Sequence, residues 1–304
     1  MKLVQFFSPG KGKRVGVVQG DRVLDITWGD EDVRSTLDLL IQGKTAQGVA
    51  TRATWLARRL RRRGLDWREL QRSPSRHAPH LLTPIDAPEV WGVKHTYALE
   101  PEQARAHRES GGAHLPPTET PSVGGRRPAL FFKATAHRVA GPYARIAIRS
   151  DSVLTLPEPG LAVVLGAGGV VLAVTVCTDM TARDIERAGA DYLSQAKVYR
   201  GACALGPCLV TPDEIPDLYM LQMRCSILRG GATIFTDAAN TARLCYKVED
   251  LAGWLSRDNP VPAGTTLSTG TGIPVAVEAA LQDGDQVTIE VQGIGQLNNP
   301  VRQG

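Results

Sequence analysis

No stretch of this 304-residue chain approaches the ~18 consecutive apolar residues a membrane-spanning helix requires, which excludes an α-helical membrane protein. The opening residues MKLVQFFSPGKGK hold too short an apolar run for a secretory signal, so the expected location is cytoplasmic. Cysteine is sparse and odd in number: Cys177, Cys203, Cys208, Cys225 and Cys245. Buried thiols are expected rather than disulfides. Cys203 and Cys208 lie in the apolar run Ala202–Val210 and have no second pair to complete a zinc site. Nucleotide signatures are missing too. Gly10-Lys11-Gly12-Lys13 lacks the spacer and terminal hydroxyl residue of a phosphate loop, Gly166–Gly169 turns a hairpin, and no Gly-x-Ser-x-Gly elbow occurs. Neither heptads nor internal repeats are visible.

Charge of one sign is also in short supply. The net charge is only +4, and much of it sits in Arg58-Arg59-Leu60-Arg61-Arg62-Arg63. No aromatic residue is interleaved there for base stacking, and cations favour a helix C-terminus. The run therefore reads as a solvated helix end, and nucleic acid is rejected as the main partner.

What remains is ordinary globular composition, 42% apolar and 22% charged, in a chain long enough for a large core. Residues 1–28 alternate short β-like runs (Leu3–Phe7, Arg14–Val18, Val23–Thr27) with turns, and helical patterns follow over Ser35–Gln42 and Ala46–Arg63. These make a small N-terminal α/β domain, 1–75. From residue 76 a larger domain runs to 304. Its expected strands are Leu81–Ile85, Ala129–Lys133, Ala144–Ile148, Cys208–Thr211, Tyr219–Leu228, Ala232–Thr236, Thr265–Ser268 and Val287–Val291. Clear helices are expected only over Ala182–Ala188 and Thr241–Ser256, the latter with Leu244, Val248, Leu251 and Leu255 on one face. The fold class is mainly β with α (α+β), a mixed β-roll.

One hairpin carries the chemistry. Glu158 and Gly160 open its first strand, two positions apart and so on one face. Leu161–Leu165 continues it, Gly166–Gly169 turns, and the β-branched Val170–Val176 returns. With the turn near residue 168, position 158 pairs with about 178, which brings Asp179 close to Glu158. Two acids at a hairpin mouth, followed by Arg183 and Lys197, suit a divalent metal and an anionic substrate. They also suit nothing more than N-caps and a surface salt bridge.

The wider pattern favours the first reading. Pro157-Glu158-Pro159 with Leu161-Ala162, Asp179 followed by Ala182-Arg183-Asp184-Ile185-Glu186, Gln195-Ala196-Lys197-Val198-Tyr199 and Cys203-Ala204-Leu205-Gly206-Pro207-Cys208 resemble the fumarylacetoacetate hydrolase family. Within it the likeness is to the branch of 2-keto-3-deoxy-arabinonate dehydratase. Phe131-Phe132-Lys133-Ala134-Thr135 with His137, Arg257-Asp258-Asn259-Pro260 and Ser268-Thr269-Gly270-Thr271-Gly272 extend the resemblance over roughly residues 85–302. It implies Mg²⁺ held by a Glu-x-Glu pair and a later Asp. Here Glu158 and Asp179 match, whereas the second Glu position is Gly160.

Two acids can hold Mg²⁺ only loosely, so metal at Glu158 and Asp179 is expected to be weak or absent. On matched positions, two carboxylates and Lys197 leave one negative charge where an intact site has two. Glycine should also leave room for a water or a substrate group. A second acid expected before the apolar pair is Ala129.

The resemblance further implies roles for single residues. Lys197 stabilises an enolate or, with its pKa lowered by burial, relays a proton. Arg183 binds a substrate carboxylate, or else pairs with Asp184 or Glu186. Thr271 and Lys133 are further substrate-binding candidates. Residues 94–127 form the lid, with His95 and either Glu100 or Glu102 as a catalytic pair. His137 reads as structural. A homodimer or higher even-numbered assembly is expected.

Three functions stay open. The first is a repurposed enzyme using Lys197, Asp179 and Glu158 without metal on a 2-oxo or β-dicarbonyl acid, as a biosynthetic cyclase or dehydratase. The second is a Mg-dependent sugar-acid dehydratase or C–C hydrolase, and the third a non-catalytic family member.

Overall fold

The computed structural model describes residues 1–27, 33–60, 64–109 and 127–304. Arg61-Arg62-Arg63 of the basic run, and the Gly/Pro/Thr-rich part of the expected lid, 110–126, lie outside these residues. The chain opens with β1 (Lys2–Ser8), β2 (Gly12–Gln19) and β3 (Arg22–Asp25), an antiparallel meander. Helix α1 (Thr36–Gly43) starts at a reciprocal cap in which Ser35 and Asp38 each satisfy the other's backbone N–H. Helix α2 (Ala46–Leu60) buries Val49, Ala53 and Leu56, a spacing that keeps one stripe inward. Short β4 (Leu65–Asp66), α3 (Trp67–Leu70) and β5 (His80–Leu81) follow. The strand expected over Leu81–Ile85 is thus shorter and begins one residue earlier.

Next come β6 (Val90–Lys94), α4 (Pro101–Glu109), β7 (Ala129–Ala134), β8 (Val139–Ala140) and β9 (Ile146–Ile148). The hairpin is the longest pair: β10 (Thr155–Leu165) and β11 (Val171–Ala182). Its register sets Glu158 opposite Asp179 and Gly160 opposite Cys177. The pairing passes the expected residue 178 by one, and the register shifts at Val164/Leu165. Helices α5 (Arg183–Arg187) and α6 (Leu193–Lys197) lead into β12 (Cys203–Val210).

The remainder is β13 (Gln222–Arg229), β14 (Ala232–Asn240), α7 (Val248–Ser256), β15 (Thr266–Ser268), β16 (Gln286–Val291) and β17 (Gly295–Gln303). The helix expected over Thr241–Ser256 is in fact a 3₁₀ turn at Thr241–Arg243 followed by α7, so Leu244 lies outside it. Backbone pairing of Leu244 with Tyr97 takes that segment into a bridge. Strand β17, Gly295–Gln303, has no counterpart in the sequence reading. Its run Asn298-Asn299-Pro300 hides a strand whose alternate residues Leu297, Asn299 and Val301 are buried.

The larger sheet runs β4-β3-β2-β1-β12-β11-β10-β15-β6-β7, and the smaller β14-β13-β16-β17-β9. Because β1 pairs with β12, the N-terminal strands continue the sheet that carries the hairpin. Alternation along β10 sends Leu161, Val163 and Leu165 to the core shared with the smaller sheet, and Ala162 and Val164 to the core under α1 and α2. Glu158 and Gly160 belong to the second set. In a flat sheet β7 would stand roughly 19 Å from β11, four strand spacings away. Yet Lys133 on β7 reaches Asp179 on β11 at 2.5 Å, so the sheet curls into a roll with the hairpin mouth inside. Among the described residues no helix is long and apolar enough to cross a membrane.

Directly ahead of β16, a central strand of the smaller sheet, Asp285 is a buried charge. Asp285 accepts from both Nε and Nη2 of Arg229 at 2.8 Å and from the Gln282 backbone N–H. Arg229 is 30% exposed and can rehydrate, so the loss on removing Asp285 falls below that of a fully buried pair. Asp285→Ala is expected to cost about 2 kcal/mol in urea unfolding. An unchanged midpoint would contradict the clasp.

Candidate active site

The hairpin mouth, α6 and β7 converge on one ammonium. Lys197 ends α6 and is fully buried. It donates to Glu158 Oε2 at 2.9 Å, Asp179 Oδ2 at 3.2 Å and Thr181 Oγ1 at 2.6 Å, which uses all three of its N–H bonds. Thr181 in turn donates to Glu158 Oε1 at 2.9 Å. Arg183 Nη2 reaches the same oxygen at 2.8 Å, and Nη1 pairs with Glu186. Lys94, at the end of β6, also pairs with Glu186. Lys94 and Lys197 both face the Phe131 ring, at 6.0 Å and 4.9 Å from its centroid.

Electrostatics keep these groups ionised. Burial alone would lower the Lys197 ammonium, but Asp179, Glu158 and Glu186 outweigh it and raise its pKa. The expectation that burial would lower this lysine is therefore corrected: it stays a cation at neutral pH. Burial would likewise raise the Glu158 carboxyl, yet Lys197 and Arg183 hold it well below the usual carboxylate range. Glu186 is also lowered, through Arg183 and Lys197 acting against its burial.

The other expected residues are placed differently from one another. Lys133 is buried and fully engaged, donating to the carbonyls of Met180 (2.7 Å) and Lys197 (2.6 Å) while pairing with Asp179 Oδ1. It fixes Asp179 rather than standing open to an anion. The Thr271 hydroxyl closes a local turn, accepting from the Ile273 N–H at 3.0 Å and donating to its carbonyl at 3.2 Å. His95 is exposed, in the left-handed region at φ 58°, immediately after Lys94. Glu100 pairs with Arg243, and with Glu102 it lines a separate open cavity of about 640 Å³ with Asp237 and Asn240. His137 is exposed beside Thr135. The thiols behave as core: burial pushes Cys208 and Cys225 up to about 12.

Sequence reasoning missed Thr181, Lys94 and Phe131 as members of the site. Thr181 was within reach of it, since a residue two beyond Asp179 on a strand shares its face. Lys94 had no local signal, because its partner Glu186 lies 92 residues away in sequence.

Gly160 holds the largest surprise. A side chain there would run straight into the Gly270 carbonyl oxygen, so the expected free room is absent. The loop that supplies this oxygen is tied down: Thr269 donates to the Leu161 carbonyl from both N–H (2.9 Å) and hydroxyl (3.0 Å), and Thr96 donates to the Thr269 carbonyl. Gly270 itself has φ 86°, a backbone state that favours glycine.

The chain belongs to the fumarylacetoacetate hydrolase family: residues 90–302 match the model of the fumarylacetoacetate (FAA) hydrolase C-terminal domain. It is an enzyme of that family, whose relatives here are dehydratases, hydrolases and tautomerases. It is 42% identical over 241 residues to 2-dehydro-3-deoxy-D-arabinonate dehydratase of Saccharolobus solfataricus, covering 79% of this chain and 80% of that one. Identity to a probable 2-keto-3-deoxyxylonate dehydratase of Haloferax volcanii is 39%, over 73% and 75% of the two chains. A solved 2-keto-3-deoxy-D-arabinonate dehydratase, complexed with magnesium and 2,5-dioxopentanoate, superposes with a TM-score of 0.78 at 32% identity, covering 100% of this chain and 99% of its own.

Such kinship implies a divalent cation. Against it stand four cations, Lys94, Lys133, Arg183 and Lys197, and three carboxylates, Glu158, Asp179 and Glu186. The cluster carries one surplus positive charge, where the sequence arithmetic gave one negative. Each oxygen of Glu158 and Asp179 already faces a cation. Among the described residues no group of three or more His, Cys, Asp or Glu is placed to hold a metal. This arrangement does not fit a resident divalent ion unless Lys197 moves away.

Two outcomes follow from this geometry. Gly160→Ala is expected to destabilise by at least ~1 kcal/mol through overpacking, and Gly160→Glu by more, without gain in metal affinity. Calorimetric Mg²⁺ titration and thermal melts check both. The pH dependence has a defined sign. Glu158 and Glu186, lowered in the fold, add stability that is present above their unfolded pKa and lost as pH falls through the folded one. Lys197, raised, adds stability present below its unfolded pKa and lost as pH rises through the folded one. Melting temperature should therefore be flat between about pH 5 and 8 and drop on both sides. Lys197→Met should remove that lysine's part of the alkaline drop. An unaltered alkaline limb in the variant would refute the pairing.

Proposed function

We propose that this enzyme acts on a 2-oxo or β-dicarbonyl acid by enolate chemistry without a resident metal, as a cyclase or dehydratase. The observation carrying this reading is the fixed ammonium of Lys197 between Glu158 and Asp179, a positive charge already in place where enolate charge would develop. An aligned cation in a poorly solvated site stabilises a developing oxyanion without reorganisation. Arg183 receives the substrate carboxylate. In doing so it loosens its hold on Glu158, whose carboxylate is 18% exposed and becomes a better base. The C–H bond next to the 2-oxo group breaks, its proton passes to Glu158, and the electron pair forms an enolate facing Lys197. Loss of a β-hydroxyl with that proton completes an elimination as water. For ring closure, an internal nucleophile adds to the β-carbon of the resulting C=C bond, the electron pair returns to the enolate, and the nucleophile's proton ends on the α-carbon.

A second reading has support of its own. The relatives at 42% and 39% identity are named as sugar-acid dehydratases, and one solved relative carries magnesium. A Mg-dependent sugar-acid dehydratase would need Lys197 to withdraw. Both readings take a homodimer or higher even-numbered assembly, the commonest symmetric solution.

The test is turnover in chelator against turnover in added Mg²⁺, across 2-oxo acids bearing a β-hydroxyl. Metal-free turnover should be undiminished. A strict requirement for Mg²⁺ would hand the site to the second reading. Lys197→Met should lower turnover by about a hundredfold or more. It should also destabilise the fold by about 3–5 kcal/mol, since two buried carboxylates lose their shared partner. Mutant assays therefore belong well below the melting temperature of the variant.

A further inference from the structure

Two features of the hairpin mouth are unaccounted for by the chemistry above. The cluster has one positive charge too many, and Arg183, only 7% exposed at its side chain, has a buried Nε–H with no hydrogen-bond partner. Both deficits call for an acceptor that bears one negative charge. The group nearest to filling the role is Glu186, whose two oxygens are divided between Lys94 and Arg183. Lys94 is the most exposed cation of the cluster, at 25%, and its acidic partner among the described residues is Glu186. Glu186 thus neutralises with one carboxylate what two cations could bind with two.

We propose that Glu186 is an internal stand-in for the substrate's carboxylate, and that Lys94 is a specificity-determining residue which, with Arg183, selects a singly charged 2-oxo acid. This rests on the metal-free reading of the site and narrows its substrate class. When the substrate's carboxylate enters, it takes Arg183 and the vacant Nε–H, while Glu186 stays with Lys94. A single negative charge balances the surplus. A second carboxylate on the substrate would have no cation left to meet it. Competition between Glu186 and the ligand means that the two ends of one ion pair should act on binding in opposite directions, which a purely structural pair would not do.

The experiment is calorimetric titration of the full-length protein in chelator, with pyruvate as the singly charged 2-oxo acid and 2-oxoglutarate, which keeps the 2-oxo acid head and adds a second carboxylate, as the doubly charged control. Glu186→Gln frees both cations and should tighten pyruvate by about tenfold, and Glu186→Ala should move affinity the same way. Lys94→Met should weaken pyruvate by about tenfold, with the fold checked by circular dichroism. Wild type should prefer pyruvate over 2-oxoglutarate, and freeing the cations should erode that preference. Weaker or unchanged pyruvate binding in folded Glu186 variants overturns the proposal, as does tighter 2-oxoglutarate than pyruvate in wild type. Turnover that needs added magnesium would overturn the metal-free reading by a separate measurement and leave the order of these affinities to stand or fall alone.

Discussion

The shared ammonium of Lys197 is the contact on which this site depends. Two carboxylates from facing strands cannot both stay ionised, buried side by side, unless a cation lies between them. Here the cation is covalently part of the chain, delivered by the last residue of α6 and held through Thr181. Its position in turn demands the curl of the sheet. Lys133 must come over from β7 to occupy the outer oxygen of Asp179, and its remaining N–H bonds are spent on the backbone of Met180 and Lys197. Fold and charge arrangement are therefore one construction. The roll is closed partly by the ion pairs that the hairpin creates.

Much of this was legible in the sequence because it is local. The hairpin declares itself through a glycine turn between two apolar runs, and period-two alternation then puts Glu158, Gly160 and Asp179 on one face. Lys197 and Arg183 came from the resemblance and sit at the mouth. What stayed hidden is what sheet closure brings together. Nothing near Lys94 points to Glu186, and nothing near Lys133 tells that its ammonium turns inward to Asp179. The sign of the local charge was misread for that reason: the arithmetic of matched positions omitted three cations and one acid supplied from elsewhere. The helix over Thr241–Ser256 failed through competition of another kind. Its first turn tightened into a 3₁₀ turn, and Leu244 then left helical geometry for a backbone bridge to Tyr97, which ties the segment after β6 to the segment after β14.

Family kinship and local geometry pull on different properties. Kinship settles the fold and that the protein is an enzyme, and it does so over nearly the whole chain. The chemistry is decided by a few atoms that kinship does not determine. A site whose acids are all matched by protein cations differs in kind from one that imports its cation.

The Gly270 carbonyl over Gly160 has a consequence for descent as well as for function. A side chain at 160 and the present path of the loop through Ser268-Thr269-Gly270 exclude each other. No single substitution at 160 leads to a three-carboxylate site by way of a well-packed protein. The loop would first have to lift, abandoning its bonds to Leu161 and Thr96. Positions 160 and 268–272 are thus expected to change together or not at all among sequences of this type. That coupling acts as a ratchet, keeping a lineage with this loop apart from any lineage that carries a side chain at 160.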